Sequence, residues 1–219
     1  MPKDEPFKFQ TLIGRSITYS DDELTVIEGL KPLEGGEWTG VIKETSTVRR
    51  MDRDALKDSI KAKLIALHGR FCIYCGLHED HCGSILQREH IAPKGTEYYP
   101  SFMFEPENLA LACYRCNVEF KGETDVGSGD KITYADNDFS IVHPYLDNFH
   151  DHIELGVRNG QALIRKKNDS DKGHATIKMF ELDSPARTML RSGLLINNSI
   201  DFDSKFDKLF QDNLNQKIV

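Results

Sequence analysis

The residues Cys72-Ile-Tyr-Cys75 and Cys113-Tyr-Arg-Cys116 form two CxxC pairs, separated by the 37 residues 76–112. The two thiolates of one pair can share an ion, and two pairs complete the tetrahedron of ligands that zinc prefers. Such a site has no open position for water, so we expect a closed, structural zinc site. An iron–sulfur cluster and four merely buried thiols are the alternatives. The fifth cysteine, Cys82, lies outside both pairs and has no assigned role.

The composition is that of an ordinary globular protein, with 219 residues, 39% hydrophobic residues and a formal net charge of −7. The polar start, Met1–Pro6, lacks the apolar stretch of a secretory signal, and no apolar run is long enough to span a membrane. We therefore expect a cytoplasmic protein. Because cytosolic thiols are normally reduced, its cysteines favour metal binding over disulfides.

The segment between and after the two pairs is rich in side chains suited to phosphate chemistry. It contains Gln87-Arg-Glu-His-Ile-Ala-Pro-Lys94 and Glu107-Asn-Leu-Ala-Leu-Ala112, followed beyond the second pair by Asn117 and Lys121. Cleavage of a phosphodiester needs a base for water, a divalent ion that neutralises charge, and groups that hold both. Each of these residues alone is a weak signal, so the weight lies in their order and spacing.

The chemistry of these side chains suggests a role for each. His90 can be the base, because imidazole titrates near neutrality. Glu89 and Asn117 offer oxygen ligands that suit magnesium or manganese better than zinc. Asn108 could orient the ring or loop of His90 by hydrogen bonds, and Lys121 could contact phosphate. We therefore predict His90, Glu89, Asn108 and Asn117 as catalytic residues, with a catalytic divalent ion on Glu89 and Asn117.

The combined pattern, covering residues 72–121, resembles the HNH endonuclease family with its ββα-metal fold. The resemblance implies that His90 is the general base, Glu89 a metal ligand, Asn108 the middle asparagine and Asn117 the last position, on a helix. Two departures matter: asparagine replaces the final histidine, as in the HNN branch, and glutamate stands where aspartate is commoner. Both departures make zinc a poorer candidate for the catalytic ion.

A wider resemblance, carried by His143-Pro-Tyr-Leu-Asp-Asn148 and the elements expected after it, is to the PtuB-like nucleases of Septu and some retron anti-phage systems. It implies an ATPase as protein partner. Such a partner would suit an acidic chain, because proteins that bind DNA alone usually have a basic surface. His143 itself could be structural or an additional catalytic residue.

A helix is predicted over Thr47–His68, since Leu56, Ile60, Leu64 and Leu67 recur at helical spacing. On a different face, four basic residues follow one another at intervals of four: Arg49, Arg53, Lys57 and Lys61. They could form a solvated face or a stripe that contacts nucleic acid phosphates.

Farther along, Gly127–Asp130 is predicted as a loop, and alternating residues around Asn159-Gly160 predict a β-hairpin. Ser184-Pro185 is expected to start a helix. A last amphipathic helix carries Phe202, Phe206, Leu209 and Phe210, which could be core or a docking face.

The predicted fold class is α+β, with a ββα-metal core clamped by a four-cysteine zinc site, a helical N-terminal extension and a mixed helix and hairpin C-terminal extension. We divide the chain into residues 1–47 (an extension that could bind a partner), 48–125 (the nuclease core with its basic helix) and 126–219 (the C-terminal extension). The predicted function is metal-dependent hydrolysis of DNA in anti-phage defence.

Two alternatives remain open. A zinc-clamped binding module without activity is favoured by the charge of residues 72–121, which hold four Lys/Arg and seven Asp/Glu. Cleavage of RNA would use the same chemistry as cleavage of DNA.

Overall fold

A computed structural model describes residues 7–8, 15–40, 42–44, 46–128 and 133–199. Its helices are α1 (Asp21–Leu30), α2 (Arg50–His68), α3 (Glu79–Cys82), α4 (Phe149–His152), α5 (Asp171–Met179) and α6 (Pro185–Ser199). Its strands are β1 (Gln87–His90), β2 (Leu109–Ala112), β3 (Gly127–Ser128), β4 (Asp138–Phe139), β5 (Ile153–Arg158) and β6 (Gln161–Lys166). The fold is mixed α+β, and the described strands pair as three antiparallel ribbons, β1–β2, β3–β4 and β5–β6.

The β1–β2 ribbon packs against α2 through β2. Every residue of β2 is buried, as its apolar Leu-Ala-Leu-Ala sequence requires. Helix α2 buries Leu56, Ile60 and Leu64, which lie on one face because they are spaced by four. In the ribbon, Gln87 pairs with Ala112 at one end and His90 pairs with Leu109 at the other. A π-helical segment, Arg115–Lys121, follows β2 and completes a strand–strand–helix unit.

Three sequence predictions of secondary structure are confirmed. Helix α2 occupies most of the predicted range, and α6 begins at Pro185. The β5–β6 hairpin turns at Asn159 and Gly160, whose φ values of 51° and 76° fit the left-handed turn that joins two strands.

The predicted loop at Gly127–Asp130 is wrong in its first half. Gly127 and Ser128 form β3 and pair with Phe139 and Asp138; residues 129 and 130 lie outside the described residues. The helix predicted around Phe202–Phe210 also lies outside them.

The sequence predicted a helical N-terminal extension and a mixed C-terminal extension, but it gave no range for α1 or α5. Their signals were the N-caps: Ser20 and Glu23 form a reciprocal capping box, and the Ser170 hydroxyl accepts from Gly173 N. Buried side chains from all three predicted segments join one hydrophobic cluster. None of the helices in the described part of the chain is long and apolar enough to cross a membrane.

Candidate functional site

The four cysteines of the CxxC pairs come together as one buried cluster. Their Sγ atoms all lie within 4.8 Å of one another, and Cys75 Sγ and Cys113 Sγ are 4.0 Å apart. A zinc ion bound tetrahedrally at about 2.3 Å requires sulfur atoms roughly 3.8 Å apart, so the cluster could hold zinc after small adjustments. The first pair is tied to β2 because Ile73 N donates to Leu111 O at 2.8 Å.

Two further side chains border this cluster. Arg187 of α6 is buried, and its Nη2 approaches Cys116 Sγ at 3.5 Å. A guanidinium there would offset part of the charge of four thiolates. Cys82 stands outside the quartet, and its thiol donates to Leu77 O at 3.4 Å.

His90, the last residue of β1, has one ring nitrogen committed to the main chain. Its Nε2 lies 3.0 Å from the carbonyl oxygen of Met103. Because a carbonyl can only accept, Nε2 carries the hydrogen and Nδ1 keeps its lone pair. Trp38 packs edge-on against the ring, with the centroids 4.5 Å apart. Burial, reinforced by the charge of Lys94, lowers the pKa of His90 well below its ordinary value. The imidazole is therefore neutral near pH 7 and can accept a proton.

Glu89 is buried beside His90, and two side chains contact one of its carboxylate oxygens. The Tyr74 hydroxyl donates to Glu89 Oε1 at 2.9 Å, and Lys121 Nζ forms an ion pair with the same oxygen at 2.9 Å. Burial raises the pKa of Glu89, while the charge of Lys121 opposes this rise. The Lys121 ammonium group is buried between Glu89 and the His90 carbonyl, so the predicted contact of Lys121 with phosphate stays a prediction.

Asn108 is fully buried and joins three parts of the chain. Its Oδ1 accepts from Ala92 N at 2.7 Å, and its Nδ2 donates to Ala92 O at 3.1 Å and to Phe102 O at 2.9 Å. Ala92 follows His90 by two residues, and Phe102 precedes Met103. Asn108 thus fixes both the loop after His90 and the carbonyl that orients its ring.

A second layer supports this asparagine. Asn108 Oδ1 also accepts from the Tyr134 hydroxyl at 3.1 Å, and that hydroxyl lies 2.8 Å from His143 Nε2. His143 Nδ1 accepts from the amides of Tyr145 and Leu146, so Nε2 donates to Tyr134. His143 is wholly buried in this chain of hydrogen bonds and does not line the cavity at His90.

A cavity of about 500 Å³ brings together Glu89, His90, Asn117 and Lys121. Asn117 reaches it from the π-helical segment, and its Nδ2 donates to Gln87 Oε1 at 2.9 Å, which leaves Oδ1 as the ligand atom for the cavity. The donor set is a carboxylate and an amide oxygen, which fits a magnesium-class ion. Asn108 supports the cavity from behind rather than lining it.

The predicted basic stripe of α2 is broken in the structure. Arg53 is wrong as an exposed contact, because its side chain is buried and Nη1 donates to Gly40 O at 2.7 Å. Helical spacing alone could not show that residues 37–40 cover this part of the helix. Arg49 is exposed and paired with Asp52 at 2.8 Å. Lys57 and Lys61 line a groove beside the cavity.

Sequence reasoning missed Trp38, Tyr74, Met103 and Tyr134. Met103 acts through its main-chain oxygen, for which no side-chain signal exists. Trp38 is the single tryptophan of the chain, and that rarity was the one available hint.

Comparison with known proteins adds a partial similarity. The chain is 29% identical over 99 residues to the Septu protein PtuB of Bacillus thuringiensis. The aligned part covers 45% of this chain and 34% of the relative, so the chain spans about a third of the relative's length. No protein-family model and no solved structure matches the chain. The similarity supports a relation to the Septu proteins over that part of the chain.

Proposed function

We propose that this chain is a metal-dependent endonuclease of the HNH class that hydrolyses phosphodiester bonds in DNA. The observation that carries the proposal is the state of His90: its Nε2 is bound to the Met103 carbonyl, and it shares a cavity with the oxygen ligands Glu89 and Asn117. An oriented neutral base beside hard oxygen ligands is the arrangement that phosphodiester hydrolysis requires.

In this mechanism His90 Nδ1 takes a proton from a water molecule as the water oxygen forms a bond to phosphorus. The bond between phosphorus and the leaving sugar oxygen breaks, and that oxygen takes up a proton from solvent. Met103 holds the ring through Nε2, so the proton acceptor is already aimed when substrate arrives. A magnesium-class ion held by Glu89 and Asn117 would supply charge neutralisation at the phosphate.

Lys121 bears on this proposal, because its ammonium group balances the buried carboxylate of Glu89. The two side-chain contacts to Glu89, from Tyr74 and from Lys121, both use Oε1. We assign Oε2 to the divalent ion, with Lys121 keeping Glu89 ionised.

The same ion pair favours a second candidate function, a zinc-clamped binding module without activity. In that case Lys121 would satisfy Glu89 permanently and no ion would bind. A divalent-ion requirement for cleavage separates the two functions.

We further propose that the enzyme acts in anti-phage defence together with a protein partner. The similarity to the Septu protein PtuB supports the defence role, and the resemblance to nucleases that work with an ATPase suggests the kind of partner. The net charge of −7 fits delivery to DNA by another protein, because an acidic surface repels phosphates.

The testing experiment is cleavage of supercoiled plasmid by the purified chain in magnesium or manganese, beside His90→Gln. Glutamine can still donate to the Met103 carbonyl but cannot serve as a base at neutral pH. We expect cleavage by the wild type, loss of cleavage in His90→Gln, and unchanged zinc content in both. His174→Gln, an exposed histidine on α5, is the matched control and should cleave normally.

Cleavage that persists in His90→Gln, or without any divalent ion, would contradict the mechanism. A single-stranded RNA and a single-stranded DNA of the same sequence test the alternative substrate, and faster cleavage of the RNA would reassign the enzyme as a ribonuclease.

A further inference from the structure

A second groove, of about 620 Å³, adjoins the cavity at His90 and shares four lining residues with it: Trp38, Thr39, Arg88 and Asn117. We name it the Tyr114 groove, and the residues that matter most on its walls are Trp38, Lys57, Lys61, Ile85, Arg88 and Tyr114. A strand that leaves the candidate site in this direction would run directly into the groove.

The charge of this groove differs from that of the whole chain. Its walls carry three cationic side chains and no aspartate or glutamate among the described residues, although the sequence holds 35 Asp/Glu and 28 Lys/Arg. A local basic surface of this kind attracts phosphates even on an acidic protein.

The three cations differ in how far they are already engaged. Lys57 Nζ donates to Trp38 O at 3.0 Å and lies 3.9 Å from Asp54 Oδ1. Arg88 Nη1 donates to Lys57 O at 2.6 Å and pairs with Asp58 Oδ1 at 3.2 Å. Lys61 forms neither a hydrogen bond nor an ion pair with any of the described residues. Its ammonium group is therefore the one of the three that is available to an incoming phosphate.

The rim of the groove carries exposed apolar side chains. Tyr114 is 45% exposed and Ile85 is 68% exposed. The main chain of Tyr114 is held by Ser84, whose Oγ accepts from Tyr114 N at 3.1 Å. An accessible aromatic ring on a fixed backbone, beside cations that follow a groove, is the combination that binds unpaired nucleotides.

We propose that the Tyr114 groove binds the DNA strand next to the scissile phosphate, with an unpaired base stacked on Tyr114 and a phosphate on Lys61. This inference rests on the proposed nuclease function and specifies its substrate as single-stranded or locally opened DNA. In an intact duplex, a base must leave the stack before it can reach an aromatic ring, which costs a few kcal/mol.

The experiment measures binding separately from cleavage. Fluorescence anisotropy of a labelled single-stranded DNA oligonucleotide, and of its duplex, is recorded with the full chain carrying His90→Gln and without added divalent ion. Tyr114→Ala should weaken single-strand binding by about 5- to 150-fold, the range for one lost base stack, while Tyr114→Phe should bind nearly as the parent does. Lys61→Gln should lower the slope of log K against log salt by about 0.7, the value for one lost phosphate contact.

Two controls exclude trivial causes. Val157→Ala removes an exposed apolar side chain on the β5–β6 hairpin and should change nothing. Because Tyr114 lies between two predicted zinc ligands, zinc content is measured for its variants. Lys61 lies on α2, away from the cysteines, so its variant tests the groove independently of the zinc site.

Equal or tighter binding of the duplex, unchanged binding by zinc-loaded Tyr114→Ala, or no measurable binding by the parent would each overturn the proposal. If one of these results occurred while plasmid cleavage still depended on His90, only the assignment of the groove would be overturned. Binding as expected without any cleavage by the wild type would instead remove the nuclease function.

Discussion

Substitution of Asn108 by alanine tests whether this residue organises the site or takes part in the chemistry. The change deletes four hydrogen bonds of a side chain with no solvent exposure. It leaves the amide and carbonyl of Ala92 and the carbonyl of Phe102 in the interior without this partner. The variant should therefore lose stability first, and activity as a consequence.

The expected size of the loss follows from the number of bonds. A net contribution of about 1 kcal/mol for each bond gives a destabilisation of roughly 4 kcal/mol, and more if the freed main-chain groups stay dry. For a chain of this size, each kcal/mol lowers Tm by about 2–4 °C, so the melting temperature should fall by roughly 8–16 °C. Such a loss is a large part of the total stability of an ordinary domain.

Calorimetry of the wild type, Asn108→Ala and Asn137→Ala measures this effect. Asn137 is a matched control, since it is also buried but donates only two hydrogen bonds, to Thr133 O and Tyr134 O. We expect it to lose about half as much stability. If Asn108→Ala melted within about 2 °C of the wild type and yet failed to cleave, a role confined to holding the loops would be refuted.

Two further predictions concern zinc and pH. Cys113→Ser should lose bound zinc and most of its stability, whereas Cys82→Ser should keep both. Metal analysis and thermal melting measure these two properties. A Cys113→Ser variant that stayed stable and zinc-loaded would contradict the structural site. Acid should destabilise the fold below about pH 6.5. Burial lowers the pKa of His68 to about 4 and that of His143 to about 3. In this pH range the unfolded chain therefore binds protons that the folded chain does not. By pH 5, each of these two histidines should lower the free energy of unfolding by about 2 kcal/mol. Urea unfolding at pH 7 and at pH 5 measures this loss. Between these two pH values the stability of His68→Gln should fall by less than that of the wild type, and equal falls would disprove the link between protonation of His68 and unfolding.

The sequence was most informative where the signal is local. The hairpin at Asn159-Gly160 requires only turn chemistry, and the face of α2 requires only apolar spacing. The four cysteines were predictable as a group because two CxxC pairs supply the four thiolates of a tetrahedral zinc site.

The parts that could not be predicted depend on contacts between distant segments. Arg53 has the same helical spacing as Lys57 and Lys61, but the chain near Gly40 folds over it. Lys121 has the spacing of a phosphate ligand, but its ammonium group turns inward to Glu89. In both cases a cation found a buried partner that no sequence pattern displays.

Different contacts hold the two ends of the β1–β2 ribbon. The stability of the fold is therefore independent of the proposed catalytic ion. At the Gln87–Ala112 end, the cysteine cluster follows directly after β2 and is tied back to it through Ile73. At the His90–Leu109 end, Asn108 fixes the loop after the strand by its own hydrogen bonds. Lys121 already balances the charge of Glu89, so neither end of the ribbon needs the proposed catalytic ion to stay folded. Removal of magnesium should therefore stop cleavage without loosening the fold, whereas removal of zinc should do both.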